Sequence, residues 1–222
     1  MTKVLFLYGS SASPGGHKSQ ALQRETDFHV EEPRLPFPDW QPKDMKEMIQ
    51  WGVEALKTKV LGMALAVAQE AAHAFGPDVI VGSSMGGSLA IGIDSPAARV
   101  LIAPAMELSQ FGVTLPNVLA SRRIPVRTVI LHAEEDALVP FGASLRLLEQ
   151  AANRADPGDA AAMTVIQEQL RASGYDTRHG RLIRIGCDHR CNDPHPHDTW
   201  NRDPHPHNAM VRAVRILAAM HA

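Results

Sequence analysis

A serine, an acid and a histidine stand in this chain at places where they could perform hydrolysis together. The serine is Ser84 in Gly82-Ser83-Ser84-Met85-Gly86, a GxSxG pattern that follows the apolar Val79-Ile80-Val81 and precedes small residues suited to a helix. At a tight strand-to-helix turn the central serine is held in strained backbone geometry. Side chains two positions to either side would collide, so both positions require glycine. The serine is thereby pushed out at the top of a sheet. The helix that starts beside it points its free N–H groups and positive dipole end at whatever the serine attacks. The N–H of Met85 is then the first donor to a developing oxyanion. The same residues also read as a plain strand and helix start or as a phosphate-cradling loop, but the spacing does not fit GxxxxGK[ST] and no lysine follows.

A serine hydroxyl is a poor nucleophile until a base takes its proton, and that base must be oriented by a third group. The expected chain order is serine, acid, histidine. His132-Ala-Glu-Glu-Asp-Ala-Leu-Val-Pro140 offers Glu134, Glu135 and Asp136. Asp136 is preferred because Val139-Pro140 ends the loop and starts a helix at a fixed distance beyond it, with Glu135 as second choice. Acidic residues in such turns also serve simply as helix caps. Of 11 histidines, His189 in Gly186-Cys187-Asp188-His189-Arg190 directly follows the last expected strand. His195, His197, His205 and His207 fall in a proline-punctuated loop or at the start of the final helix. His132 precedes the acid on its own strand and reads as a packed strand-end residue.

Short runs rich in Val, Ile and Leu, separated by helical patterns, are how strands of a doubly covered parallel sheet look. Strands are expected at Lys3 to Tyr8, Asp78 to Gly82, Arg99 to Ala103, Val126 to His132 and Arg181 to Ile185, with a weaker one at Phe28 to Glu31. The prolines of PRLPFPDWQP, which follows, exclude an ordinary helix or central strand there. Helices are expected at His17 to Glu25, Lys43 to Phe75 with a break near Gly52 or Gly62, Met85 to Gly92, Phe141 to Arg154, Ala160 to Ser173 and His207 to His221. The alternation implies an α/β fold, a doubly wound, mostly parallel sheet in a single domain over residues 1–222. Ligands of such sheets gather beyond the carboxyl ends of the strands, where GSSASPGG, GSSMGG, HAEEDALVP and GCDHRCND all lie.

The chain has 222 residues, of which 45% are hydrophobic, enough for one sizeable core. A formal charge of −2 and a pI near 6.6, with scattered basic residues, argue against a nucleic-acid partner. No run reaches the roughly 18 apolar residues of a membrane span, and MTKVLFLYGSS turns polar too early for a signal peptide. A cytoplasmic protein without a membrane partner is the expectation. Cys187 and Cys191 allow no disulfide framework beyond one local bridge.

Asp193 to His207, DPHPHDTWNRDPHPH, carries the same five residues twice and invites a metal reading. Proline between histidines favours an extended three-per-turn conformer that aims residues two apart in different directions. Recruiting Cys187, His189 and Cys191 as zinc ligands would also silence the proposed base. The expectation is no metal, with the segment acting as a stiff loop that loses little entropy on ordering.

Taken together, these pieces resemble an α/β-hydrolase, and most closely the small YqiA-like serine esterases. In that branch the first strand runs into a histidine-glycine turn, then a Ser-Pro and a His-Lys. VLFLYGSSASPGGHKSQ, Val4 to Gln20, is similar, and GSSMGG, HAEEDALVP and GCDHR match the later motifs in order. The resemblance implies that the second oxyanion donor is the backbone N–H of Ser10. Tyr8 departs from it, standing where histidine is common, and implies altered support of the oxyanion loop and a changed substrate preference. Pro104 to Arg123, where many relatives insert a lid, is too short for a large one. Its Met106, Leu108, Phe111, Val113 and Leu115 either border an acyl pocket, with Met106 and Tyr8 contacting substrate, or pack a helix against the sheet. The activity expected is hydrolysis of small, short-acyl carboxylic esters through an acyl-enzyme, with no cofactor. A thioesterase or acyltransferase would use the same three residues, and Tyr8 would mark the degenerate loop of a binding protein. Oligomeric state is not legible.

Overall fold

The computed structural model describes residues 1–10, 12–37, 47, 50, 60–108, 113–114, 124–136, 138–153, 155–185 and 206–220. Six parallel strands form one sheet: β1 (Thr2–Leu7), β2 (Phe28–Glu31), β3 (Val79–Ser83), β4 (Ala98–Ile102), β7 (Thr128–His132) and β8 (Leu182–Arg184). Their spatial order is β2-β1-β3-β4-β7-β8. The four central strands are buried along almost all of their length because their sequences are apolar on both faces, which a sheet covered on both sides requires. Two-residue strands β5 (Glu107–Leu108) and β6 (Val113–Thr114) pair antiparallel in the segment between β4 and β7.

Six helices have described bounds: α1 (His17–Gln23), α2 (Val60–Phe75), α3 (Met85–Gly92), α4 (Phe141–Ala152), α5 (Pro157–Ala172) and α6 (Pro206–Ala219). The chain moves outward from β1 to β2 and then returns past β1 to β3. Right-handed crossovers therefore place α1 on the face opposite α2 and α3. In keeping with this, α2 packs on α3 while α6 packs on α1. The reversal makes the gap between the carboxyl ends of β1 and β3 the topological switch point.

The structure bears on two expected boundaries. Helix α2 runs unbroken through Gly62, where a Cβ would meet open space; Gly52 lies outside the described residues. Helix α5 begins at Pro157, three residues before the expected Ala160, because Pro-Gly reads as a turn although proline also suits the first helical position. Asp156 caps it: its side chain accepts the Asp159 N–H at 2.8 Å, and Asp159 reaches back to the Asp156 N–H at 3.4 Å.

One charged residue lies deep in the sheet. Arg99 is fully buried at the second position of β4, and no carboxylate among the described residues pairs with it. Its guanidinium donates instead to the carbonyls of Ala90 (2.9 Å), Ile93 (3.2 Å) and Ser95 (3.2 Å), and closely to that of Ala97. These carbonyls belong to the end of α3 and the turn after it, so the cation rests on the negative pole of that helix. Burial lowers its pKa to about 10, which leaves it charged at neutral pH. Replacing Arg99 by Met would orphan several buried carbonyls at about 1–3 kcal/mol each. We expect a loss of at least about 3 kcal/mol, read as a fall of roughly 6–12 °C in Tm by circular dichroism.

Candidate active site

Ser84 follows β3 and immediately precedes α3, with φ 53° and ψ −116°. Backbone of this kind costs an ordinary residue about 1–3 kcal/mol and persists only where its surroundings over-determine it. Here they do: the Ser84 N–H donates to Ile102 O (2.8 Å), and its carbonyl accepts from Gly87 N (2.9 Å), Ser88 N (3.2 Å) and Ala105 N (3.1 Å). The flanking glycines are required by space. A Cβ on Gly82 would lie 2.5 Å from Gly86 O, and one on Gly86 would overlap the Leu7 carbonyl of β1. Neither glycine has positive φ, so volume alone forbids a side chain there.

The β1 end supplies the opposite wall. Leu7 pairs with Gly82, which brings the next residues of both strands side by side. A Cβ on Gly9 would come within 3.2 Å of Ser84 Cβ and 3.8 Å of its Oγ, so a side chain at that point would press on the serine. Ala12 N–H donates to Gly9 O (3.1 Å), closing a turn in which Ser10 is the second residue. That residue's N–H is not used by the turn itself. The N–H of Met85, in the first turn of α3, likewise has no acceptor within its helix. Met85 is buried, whereas Ser84 and Ser10 are part-exposed.

Asp136, beyond β7, is the buried member of its acidic trio. Glu134 and Glu135 are exposed, and Glu134 is paired closely with Arg184. Asp136 Oδ1 accepts from Leu138 N (2.8 Å) and Val139 N (2.9 Å), an Asx-type turn that fixes the direction of the carboxylate. Leu138 and Val139 in turn form a small apolar cluster with Ala105. Since Ala105 also bonds the Ser84 carbonyl, the acid loop and the serine turn rest on a shared support.

His132 is fully buried, with Nδ1 2.7 Å from Ser144 Oγ and Nε2 3.0 Å from Val139 O. The pattern is satisfied when Nε2–H donates to the carbonyl and Nδ1 accepts the serine proton. Asp136 Oδ2 lies 3.4 Å from the same Nε2. His132 is therefore packed against the acid and enclosed from solvent. Nothing in its position in the sequence distinguishes this support from an ordinary strand-end histidine.

Tyr8 is buried, and its hydroxyl is engaged with the backbone of Leu35. Met106 is part-buried against the core, its N–H turned to Pro104 O (2.8 Å). His189, Cys187, Cys191 and the duplicated histidine segment to residue 205 lie outside the described residues, as does the side chain of His207. Among the described residues no group of three metal-capable side chains occurs, and no helix is long and apolar enough to cross a membrane.

No family model matches the chain, and no curated protein matches it at a significant level. Solved structures do. A candidate hydrolase of the alpha/beta superfamily from Xanthomonas campestris pv. campestris superposes with a TM-score of 0.55 at 16% identity, covering 100% of this chain and 98% of that one. Alpha/beta hydrolase domain-containing protein 10 from mouse gives 0.54 at 16% identity, over 99% of this chain and 90% of its own. A Xanthomonas campestris member of the a/b serine hydrolases without lid gives 0.50 at 12%, over 99% and 81%. At such identities the likeness shows the fold: this chain has the α/β-hydrolase fold in a minimal form, without a large lid domain.

The glycine contacts separate two kinds of damage. Gly86→Ala drives a methyl into the β1 backbone and should cost at least about 3 kcal/mol of stability. Gly9→Ala presses tightly only on the Ser84 side chain and reaches the Ser83 carbonyl at an ordinary 3.4 Å, so Tm should fall by less than about 3 °C. Reaction of Ser84 with a fluorophosphonate should nevertheless slow at least about tenfold in Gly9→Ala, because an ångström of misplacement at a reacting atom can cost a hundredfold. Thermal melts paired with labelling rates check both.

Proposed function

We propose that the protein is a serine hydrolase that cleaves small, short-acyl carboxylic esters. The observation that carries the reading is the backbone of Ser84, with φ 53° and ψ −116° at a strand-helix junction on the switch point, bordered by the main chain of Gly9. Strain of this kind is retained where a nucleophile must be presented. Hydrolase neighbours with the same fold support the reading at the level of reaction type.

In this reading His189 takes the Ser84 proton as Oγ attacks the ester carbonyl carbon. Asp136 orients the imidazole and stabilises its cation. The N–H groups of Ser10 and Met85 receive the oxyanion, and His189 returns the proton to the leaving alcohol as the C–O bond breaks. Water, deprotonated by His189, then attacks the acyl-enzyme and frees the acid. The topology allows the partnership: β8 is three strand spacings from β3, about 14 Å. His189 follows Ile185 by four residues, which span about 13 Å when extended. Asp136, at the end of β7, lies along that path. Only residues 103–127 separate β4 from β7, which leaves little chain to enclose a long acyl group and favours short ones.

Ser84→Ala should lose about a million-fold in p-nitrophenyl acetate turnover while its melt is preserved. Asp136→Asn should lose about ten-thousand-fold. Fluorophosphonate labelling followed by peptide mapping should place the adduct on Ser84. Retained turnover in Ser84→Ala, or an adduct elsewhere, defeats the assignment. Side-by-side rates on acyl-CoA and oxygen esters test the ester preference.

A further inference from the structure

The chain that carries the turn assigned to the oxyanion is fastened before and after that turn by one neighbouring segment. Residues 32–37, Glu-Pro-Arg-Leu-Pro-Phe, leave β2 beside the end of β1. At the entry to the turn, the Tyr8 hydroxyl accepts the Leu35 N–H at 2.7 Å and donates to the Leu35 carbonyl at 3.3 Å. Tyr8 and Leu35 are 4% and 2% exposed, and the Phe37 ring meets the Tyr8 ring edge-on at 6.1 Å. At the exit, Glu32 Oε2 accepts from Gly15 N (2.8 Å) and Ser19 Oγ (2.6 Å). Gly9 and Ser10 lie between the two fastenings. Pro33 and Pro36 bracket Leu35 and limit the backbone freedom of the segment that holds them.

From this geometry we infer that Tyr8 is a positioning residue for catalysis. Its hydroxyl, braced by the Leu35 backbone, sets where the Ser10 N–H stands relative to Ser84 Oγ, and Glu32 secures the chain that leaves the turn. The inference rests on the serine-hydrolase reading. A phenol suits the task because one oxygen both donates and accepts, satisfying two main-chain groups that burial would otherwise orphan. A donor aimed at the oxyanion matters only as charge develops, so loosening it should slow the chemical step and leave ground-state binding alone.

The decisive variant is Tyr8→Phe, which keeps the ring and its contact with Phe37 and removes only the hydroxyl. On p-nitrophenyl acetate, kcat should fall about 10- to 100-fold, less than for deletion of a donor, with KM within about threefold of wild type. The inhibition constant of phenylboronic acid, which forms a tetrahedral adduct on the serine, should rise by the same factor well below Tm. Loss of stability alone would not couple those two quantities. Glu32→Ala, which leaves the Tyr8 hydroxyl in place, should show the same paired shift, and Glu32→Gln, whose amide oxygen can still accept both bonds, should recover most of it. Glu32→Ala carries the test should Tyr8→Phe fail to fold. Wild-type kcat and boronate affinity in Tyr8→Phe, or a rise in KM without a change in kcat, would overturn the positioning role. Absence of Ser84-dependent turnover in the wild type would instead overturn the hydrolase reading.

Discussion

The contact on which the rest of the structure depends is the approach of the β3–α3 turn to the last residues of β1. Gly86 lies so close to the Leu7 carbonyl that no side chain fits, and the Gly86 backbone in turn excludes a side chain from Gly82. This closeness forces Ser84 into positive φ, because the chain must reverse from strand to helix within one residue. The cost of about 1–3 kcal/mol is met by four main-chain hydrogen bonds around that residue. The bond from Ala105 links the turn to the chain leaving β4, where Ala103 also has positive φ (42°). Two strained residues thus border the same rim.

Helix α3 is an unusual lever for such a task. All eight of its residues are buried, so amphipathic packing does not orient it. Its placement comes from its ends and from small side chains that admit close neighbours. A Cβ on Gly87 would press on Pro104 at 3.0 Å, and Ser88 Oγ donates to Ala105 O at 2.8 Å. At the far end Arg99 occupies the negative pole and satisfies carbonyls that would otherwise be buried without donors. A buried cation here serves geometry: it fixes the carboxyl end of the helix whose amino end faces the serine.

The acid side follows the same principle of backbone fixing side chain. Two N–H groups hold one oxygen of Asp136, and His132 stands 3.4 Å from the other. Ser144 and Val139 in turn hold His132. The aromatic row continues outward, with Phe141 5.6 Å from the His132 ring and His179 6.0 Å from Phe141. Two main-chain donors on one oxygen fix the direction of the carboxylate, the condition a residue that orients an imidazole must meet.

Much of this was legible in the residues themselves. Apolar runs such as Val79-Ile80-Val81 and Thr128 to His132 mark buried parallel strands, since a doubly covered sheet leaves no polar face. Glycine at positions 82 and 86 around Ser84 marks the turn, because local sterics alone demand it there. The start of α5 is not legible locally, because Pro-Gly fits both a turn and a helix start and only the cap formed by Asp156 decides between them. What no local pattern contains is which distant groups meet. Leu7 forbidding a side chain at Gly86, Tyr8 binding Leu35, and Ala105 bonding the Ser84 carbonyl all join segments that only the strand order β2-β1-β3-β4-β7-β8 brings side by side. Periodicity and turn chemistry report a residue's immediate neighbours in the chain, whereas the reach of a hydroxyl or guanidinium is spent on neighbours in space.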